Sequence, residues 1–144
     1  MDLVKEKGKT ISASILHEDI YGTTCYFFWN CEYAEVYRWM RKNKKYLSID
    51  PPEHDYAYGY TMWWPGTNTG LIWIKDTNPD SAAHESCHYT TYAIGCRGLN
   101  DEGRAYYQGW LFGEMWKVVN YKYKIDKRKE KRNAIHKTGK KGNS

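Results

Sequence analysis

Hydrophobic positions along this chain fall into short blocks whose spacing changes from one to the next. Residues 1–13 are polar and lysine-bearing with no period, which predicts a loose N-terminal arm. Residues 15–21 are ambiguous by pattern. Thr23-Thr24-Cys25-Tyr26-Phe27-Phe28-Trp29 is a run of β-branched and aromatic residues, and it predicts a buried strand. Over residues 32–42, Tyr33, Val36, Tyr37 and Met40 recur at helical spacing and the end is cationic, so a helix is expected there. Lys44-Lys45 and Asp50-Pro51-Pro52 then form a connection, because the proline pair ends any regular element. Residues 58–64 and 70–75 predict two more strands. The turn chemistry of Pro65-Gly66-Thr67-Asn68-Thr69 joins them as an antiparallel hairpin.

The second half of the chain switches to helical signals. Asn78 is a good N-cap, Pro79 suits the first helical position, and Asp80 favours the positive end of the helix dipole. With Gly95 as the stop, a helix over residues 79–94 is predicted, and Ala83, Cys87, Thr91 and Ile94 give it a buried stripe. After Cys96-Arg97-Gly98-Leu99, Asn100 can cap another helix, expected to end near Val119. Ala105, Gly109 and Gly113 at four-residue intervals predict close packing of that helix on its predecessor. From residue 121 on there is no apolar stripe, which predicts a basic, flexible tail. These elements define an α+β class. A small, mostly antiparallel sheet is backed by two helices, in a domain over residues 14–120 flanked by the arm (1–13) and the tail (121–144).

Composition changes this picture in two ways. At 144 residues with 41% hydrophobic content and seven Trp, the chain has enough apolar material for one modest core. The net charge of +5 is unevenly held. Residues 121–144 carry ten Lys/Arg against two Asp/Glu, a net of +8, which leaves −3 for residues 1–120. The tail could therefore attract nucleic acid or another polyanion weakly, although no aromatic residue follows Tyr123 to stack on bases. The four Cys (25, 31, 87, 96) lack zinc-ribbon spacing and read as free thiols of a reducing, cytoplasmic location, with Cys87 in the core. No apolar run follows Met1-Asp2-Leu3-Val4-Lys5, and none reaches the roughly 18 residues of a membrane span. Phosphate-loop, serine-elbow and dinucleotide fingerprints are absent. His17, His54 and His136 stand outside any ligand pattern.

The candidate chemistry lies in His84-Glu85-Ser86-Cys87-His88, an H-E-x-x-H pattern. On a helix His84 and His88 share a face one turn apart and can bind one zinc ion, with Glu85 placed as general base. A catalytic site of this kind takes a third protein ligand, and Glu102 is the candidate. The helix–loop–helix reversal can return its turn towards the histidines.

HESCH followed by Asn100-Asp101-Glu102-Gly103-Arg104-Ala105-Tyr106-Tyr107 resembles the zincin metallopeptidases with a glutamate ligand, and in particular the very small zincin-like proteins common in bacteriophage genomes. The resemblance covers residues 58–116. It implies a minimal zincin-like domain, Zn2+ held by His84, His88 and Glu102, Glu85 as base, and peptide-bond hydrolysis in the cytoplasm of a bacterial host. Gly103 departs from it, being a poor helix former inside the first turn. The strand before the active-site helix in zincins is commonly the edge on which a peptide substrate lies, which implies that role for Ile72, Trp73 and Ile74. Core packing accounts for Trp73 equally well. Tyr106, one turn beyond Glu102, can orient that carboxylate or stabilise an oxyanion, or can simply pack. Two other readings fit the same residues. One is a non-catalytic, zinc-stabilised structural or interaction module, and the other a nucleic-acid-associated protein acting through its tail.

Overall fold

The aromatic run Thr23–Trp29 is a strand, and the sheet is built outward from it. The computed structural model describes residues 2–52, 58–95 and 100–141. Along these the elements are β1 (Leu3–Glu6), β2 (Lys9–Glu18), β3 (Thr23–Trp29), α1 (Tyr33–Asn43), β4 (Gly59–Trp64), β5 (Thr69–Ile74), α2 (Pro79–Ile94) and α3 (Asp101–Lys141). The fold is α+β. Its five-stranded sheet has the order β1-β2-β3-β5-β4 and is antiparallel except where β3 runs parallel to β5.

Strands β3 and β5 are covered on two sides, which is why they read as unbroken apolar runs rather than alternating ones. Tyr26 and Phe28 of β3, with Leu71 and Trp73 of β5, meet Val36, Trp39 and Met40 of α1. Their neighbours Cys25, Phe27, Trp29, Ile72 and Ile74 face the other way, onto Tyr89 and Ala93 of α2 and Leu111, Met115 and Val118 of α3. The pleat thus distributes one run of residues between two cores.

Several expectations are corrected. The described part of the expected loose arm 1–13 instead belongs to the β1–β2 hairpin. Its turn is Lys7-Gly8, both at positive φ (49° and 76°), the two-residue geometry that suits the strand twist. Leu3, Val4, Ile11 and Ile15 are half-buried against the cores, an alternation obscured by the intervening lysines. The buried stripe of α2 is Ala82, Glu85, Ser86, Tyr89, Thr90, Ala93 and Ile94, whereas Ala83, Cys87 and Thr91 are exposed. Cys87 is therefore not core. Of the other thiols, Cys25 is buried, and burial pushes the half-buried Cys31 up to about 12. In α3, Ala105 and Gly109 face solvent, and a Cβ at Gly109 or Gly113 would meet nothing within 4 Å, so this stripe makes no close helix contact. Tyr107, Leu111, Met115 and Val118 do the packing instead. Finally, α3 continues past Val119 to Lys141 as one helix of 41 residues.

Candidate metal and catalytic site on α2

Helix α2 begins as its signals require: the Asn78 side chain accepts a hydrogen bond from the Asp80 amide at 2.9 Å, and Pro79 opens the first turn. It closes at Gly95 in right-handed geometry, with the Gly95 amide bonded to the Thr91 carbonyl, rather than in the left-handed form usual for a glycine stop. Tyr89 anchors the helix to the sheet. Its hydroxyl donates to the Thr24 carbonyl at 2.8 Å, its ring stands edge-on to Trp63, and burial raises its phenol well above the ordinary value.

With Tyr89 pinned inward, His84 and His88 are left on the exposed side. The two imidazoles converge, with Nε2 atoms 3.1 Å apart and ring centroids 4.8 Å apart. Two nitrogens held at the usual zinc–nitrogen distance in a tetrahedral shell would lie about 3.3 Å from one another. The pair thus fits two adjacent positions around a zinc ion with little adjustment.

Glu85 lies one residue round the helix, at the seam between α2 and the edge strand β4, and is only 7% exposed. Its carboxylate accepts a hydrogen bond from the Thr61 hydroxyl at 2.5 Å, and the same hydroxyl lies 3.2 Å from the Glu85 carbonyl. Gly59 makes room for it, since a Cβ there would sit 2.8 Å from Glu85 Oε1. Gly59 and Thr61 were missed in the sequence. The signal available was only that Gly59 and Thr61, two residues apart, are small and share the face of β4 that meets α2, before Trp63.

The remaining candidates are not gathered at this point. Glu102 is exposed in the first turn of α3. Asn100 caps that turn as expected, accepting from the Gly103 amide at 2.9 Å, so the helix starts at Asp101 despite the glycine. Arg104, from the same turn, reaches the end of α2: a Cβ on Gly95 would lie 3.2 Å from its guanidinium. Gly95 is seven residues beyond His88, a rise of about 10 Å along a helix. Among the described residues, no three His, Cys, Asp or Glu side chains are grouped to hold a metal. The loop 96–99, with Cys96, lies outside the described residues, as does His54.

Tyr106 is 74% exposed and lines a cavity formed with the β2–β3 turn, to which α2 contributes no side chain among the described residues. The expected substrate strand is corrected as well. Strand β5 is interior, bonded to β3 and β4, and Ile72, Trp73 and Ile74 are buried, with Trp73 donating its indole N–H to the Cys31 carbonyl. The edge beside α2 belongs to β4. No described helix is long and apolar enough to cross a membrane. No family model, curated protein or solved structure matches the chain.

Proposed function

We propose that the protein is a zincin-like, zinc-dependent hydrolase of peptide bonds, with its centre on the exposed side of α2. The observation that carries this reading is the convergence of the His84 and His88 Nε2 atoms at 3.1 Å on a helix whose next residue is a sequestered glutamate. His84 and His88 would hold the metal, and Glu102, which is not grouped with them in the structure, is the residue that the family resemblance proposes as third ligand. When bound, zinc supplies a Lewis acid and lowers the pKa of a bound water towards neutrality. Glu85 would take the proton from the attacking water and return it to the leaving amine. The Thr61 hydroxyl fixes the orientation of that carboxylate, and Gly59 keeps β4 close without displacing it. An extended substrate would align along the outer side of β4, which has β5 as its one described neighbour.

Metal analysis of purified protein tests the reading. About one zinc per chain is expected, lost in His84→Ala and His88→Ala, weakened in Glu102→Gln and retained in Glu85→Gln. Against a peptide library, cleavage should fall roughly 10²- to 10⁴-fold in Glu85→Gln, the contribution of a positioned base. Stoichiometric zinc in a His84→Ala/His88→Ala variant would remove the site, and equal cleavage by wild type and Glu85→Gln would remove the base.

A second reading rests on a separate observation. The basic stretch continues α3, and its residues from Lys127 to Lys140 are all exposed. We propose that this helix makes weak, sequence-independent contacts with a polyanion such as nucleic acid.

A further inference from the structure

A cavity lies away from the His84–His88 pair, lined by no residue of α2. It has a volume of about 660 Å3 and lies between the β2–β3 turn and the first half of α3, within the size range of small-ligand sites. Its walls are aromatic. Tyr21 and Tyr107 have ring centroids 6.0 Å apart at 52°, and Tyr107 and Trp110 repeat nearly the same relation at 6.0 Å and 55°. All three rings line this one space, and they are inclined to one another rather than stacked.

Carboxylates dominate the charged groups around that space. Asp19 and Glu114 line it, as does Glu18; His17 is the one basic side chain there among the described residues, its Nδ1 3.2 Å from the Thr24 hydroxyl oxygen, and no described lysine or arginine lines it. Glu114 is already paired, with Lys117 at 2.8 Å. Glu18 is the informative one, because it is 7% exposed and has no cation within 4.0 Å among the described residues. Its Oε2 accepts from the Tyr21 amide at 2.9 Å and from the Thr23 hydroxyl at 3.4 Å, while Oε1 accepts from the Ile20 amide alone. A carboxylate has about four lone-pair sites, so among the described residues these three donors leave one unused. Burying an anion is costly unless donors or a positive charge compensate it, and here donors alone do so.

From this geometry we propose that the cavity is a binding site for an organic cation, a guanidinium or alkylammonium group. Ring faces attract such groups through their quadrupole, and the Glu18 and Asp19 carboxylates supply the charge. A cavity of 660 Å3 exceeds what a bare ammonium fills, which favours a cation carried on a longer body, such as the arginine or lysine side chain of a polypeptide. The site uses no residue of α2 and does not depend on the metal reading.

The test is a titration of the intact protein followed by NMR at the Trp110 indole N–H and the Gly103 amide, both on the cavity lining. The probes are N-acetyl-arginine methylamide, its uncharged citrulline counterpart and tetramethylammonium. Saturable shifts at these two positions are expected with the arginine probe, with the citrulline probe at least about tenfold weaker. Trp110→Ala and Asp19→Asn, both at the surface, should each weaken the arginine probe by roughly three- to tenfold. Glu18→Gln should weaken it further, and the two surface variants keep the test open if that one fails to fold. Tetramethylammonium binding as tightly as the arginine probe would assign the site to free small cations, and tighter arginine binding to polypeptide side chains. Equal binding of arginine and citrulline probes overturns the proposal. So does the absence of saturable change at Trp110 and Gly103 up to about 20 mM probe, a concentration that would detect even millimolar affinity.

Discussion

Glu85 shows how much one residue depends on two others outside its own helix. Its carboxylate is buried at the α2–β4 seam, held by the Thr61 hydroxyl and accommodated by the missing side chain of Gly59. Thr61→Val preserves shape and deletes the donor. It should cost about 1.5–3 kcal/mol in chemical denaturation, the range for hydrogen bonds to charged groups, while metal content stays unchanged. In a Glu85→Ala background the same change should cost much less, because the two residues share one interaction. An undiminished cost there would show that Thr61 acts through packing alone. The pattern H-E-x-x-H was legible because it is contiguous. Its support was not, because Thr61 and Glu85 lie 24 residues apart and meet only when β4 docks beside α2.

Among the elements, α3 departs furthest from what periodicity predicted. A stripe of small residues usually marks close approach, yet Gly109 and Gly113 border open space. Gly109→Ala should therefore stabilise the protein, by roughly 0.5–1 kcal/mol, since glycine pays the larger backbone entropy in a helix. Leu111→Ala, two residues on but 1% exposed, should instead cost about 2–5 kcal/mol through lost burial and a cavity. Denaturation midpoints decide both, and a destabilising Gly109→Ala would mean that this face has a covering not seen here. The stripe of α2 was misplaced for a related reason. Ala83 and Cys87 suit a core by type, but Tyr89 is buried and hydrogen-bonded to the sheet, and Ala82, Ser86 and Ala93 lie inward with it.

For the whole molecule the division of charge is the dominant feature, with a body of net −3 and a basic segment of net +8. Within that segment Lys122 pairs with Asp126 and Lys127 with Glu130, so most cations remain available along an exposed helix. Changing Arg128, Lys131 and Arg132 together to Gln should weaken duplex DNA binding uniformly across sequences. Wild-type affinity should fall steeply as salt rises, with a log–log slope near −0.9 for each phosphate neutralised. Salt-independent binding, or binding unaffected by the triple change, would discard the polyanion reading.

The α+β class, β3, α1, the β4–β5 hairpin, the capped start of α2 and the one-turn spacing of His84 and His88 were determined by the sequence alone. Each rests on interactions within about a dozen residues: runs of apolar side chains, a capping side chain, turn residues, a helical period. Tertiary structure decided which strand forms the edge beside α2, which stripe of α2 and α3 is buried, and that the lysine-bearing N-terminus becomes a hairpin. It also decided that Glu102 begins a turn whose Arg104 meets Gly95, and that Tyr106 borders the cavity beside the β2–β3 turn. These outcomes depend on how separate elements compete to cover one sheet. Local spacing does not encode that competition, because burial belongs to pairs of surfaces and not to single segments.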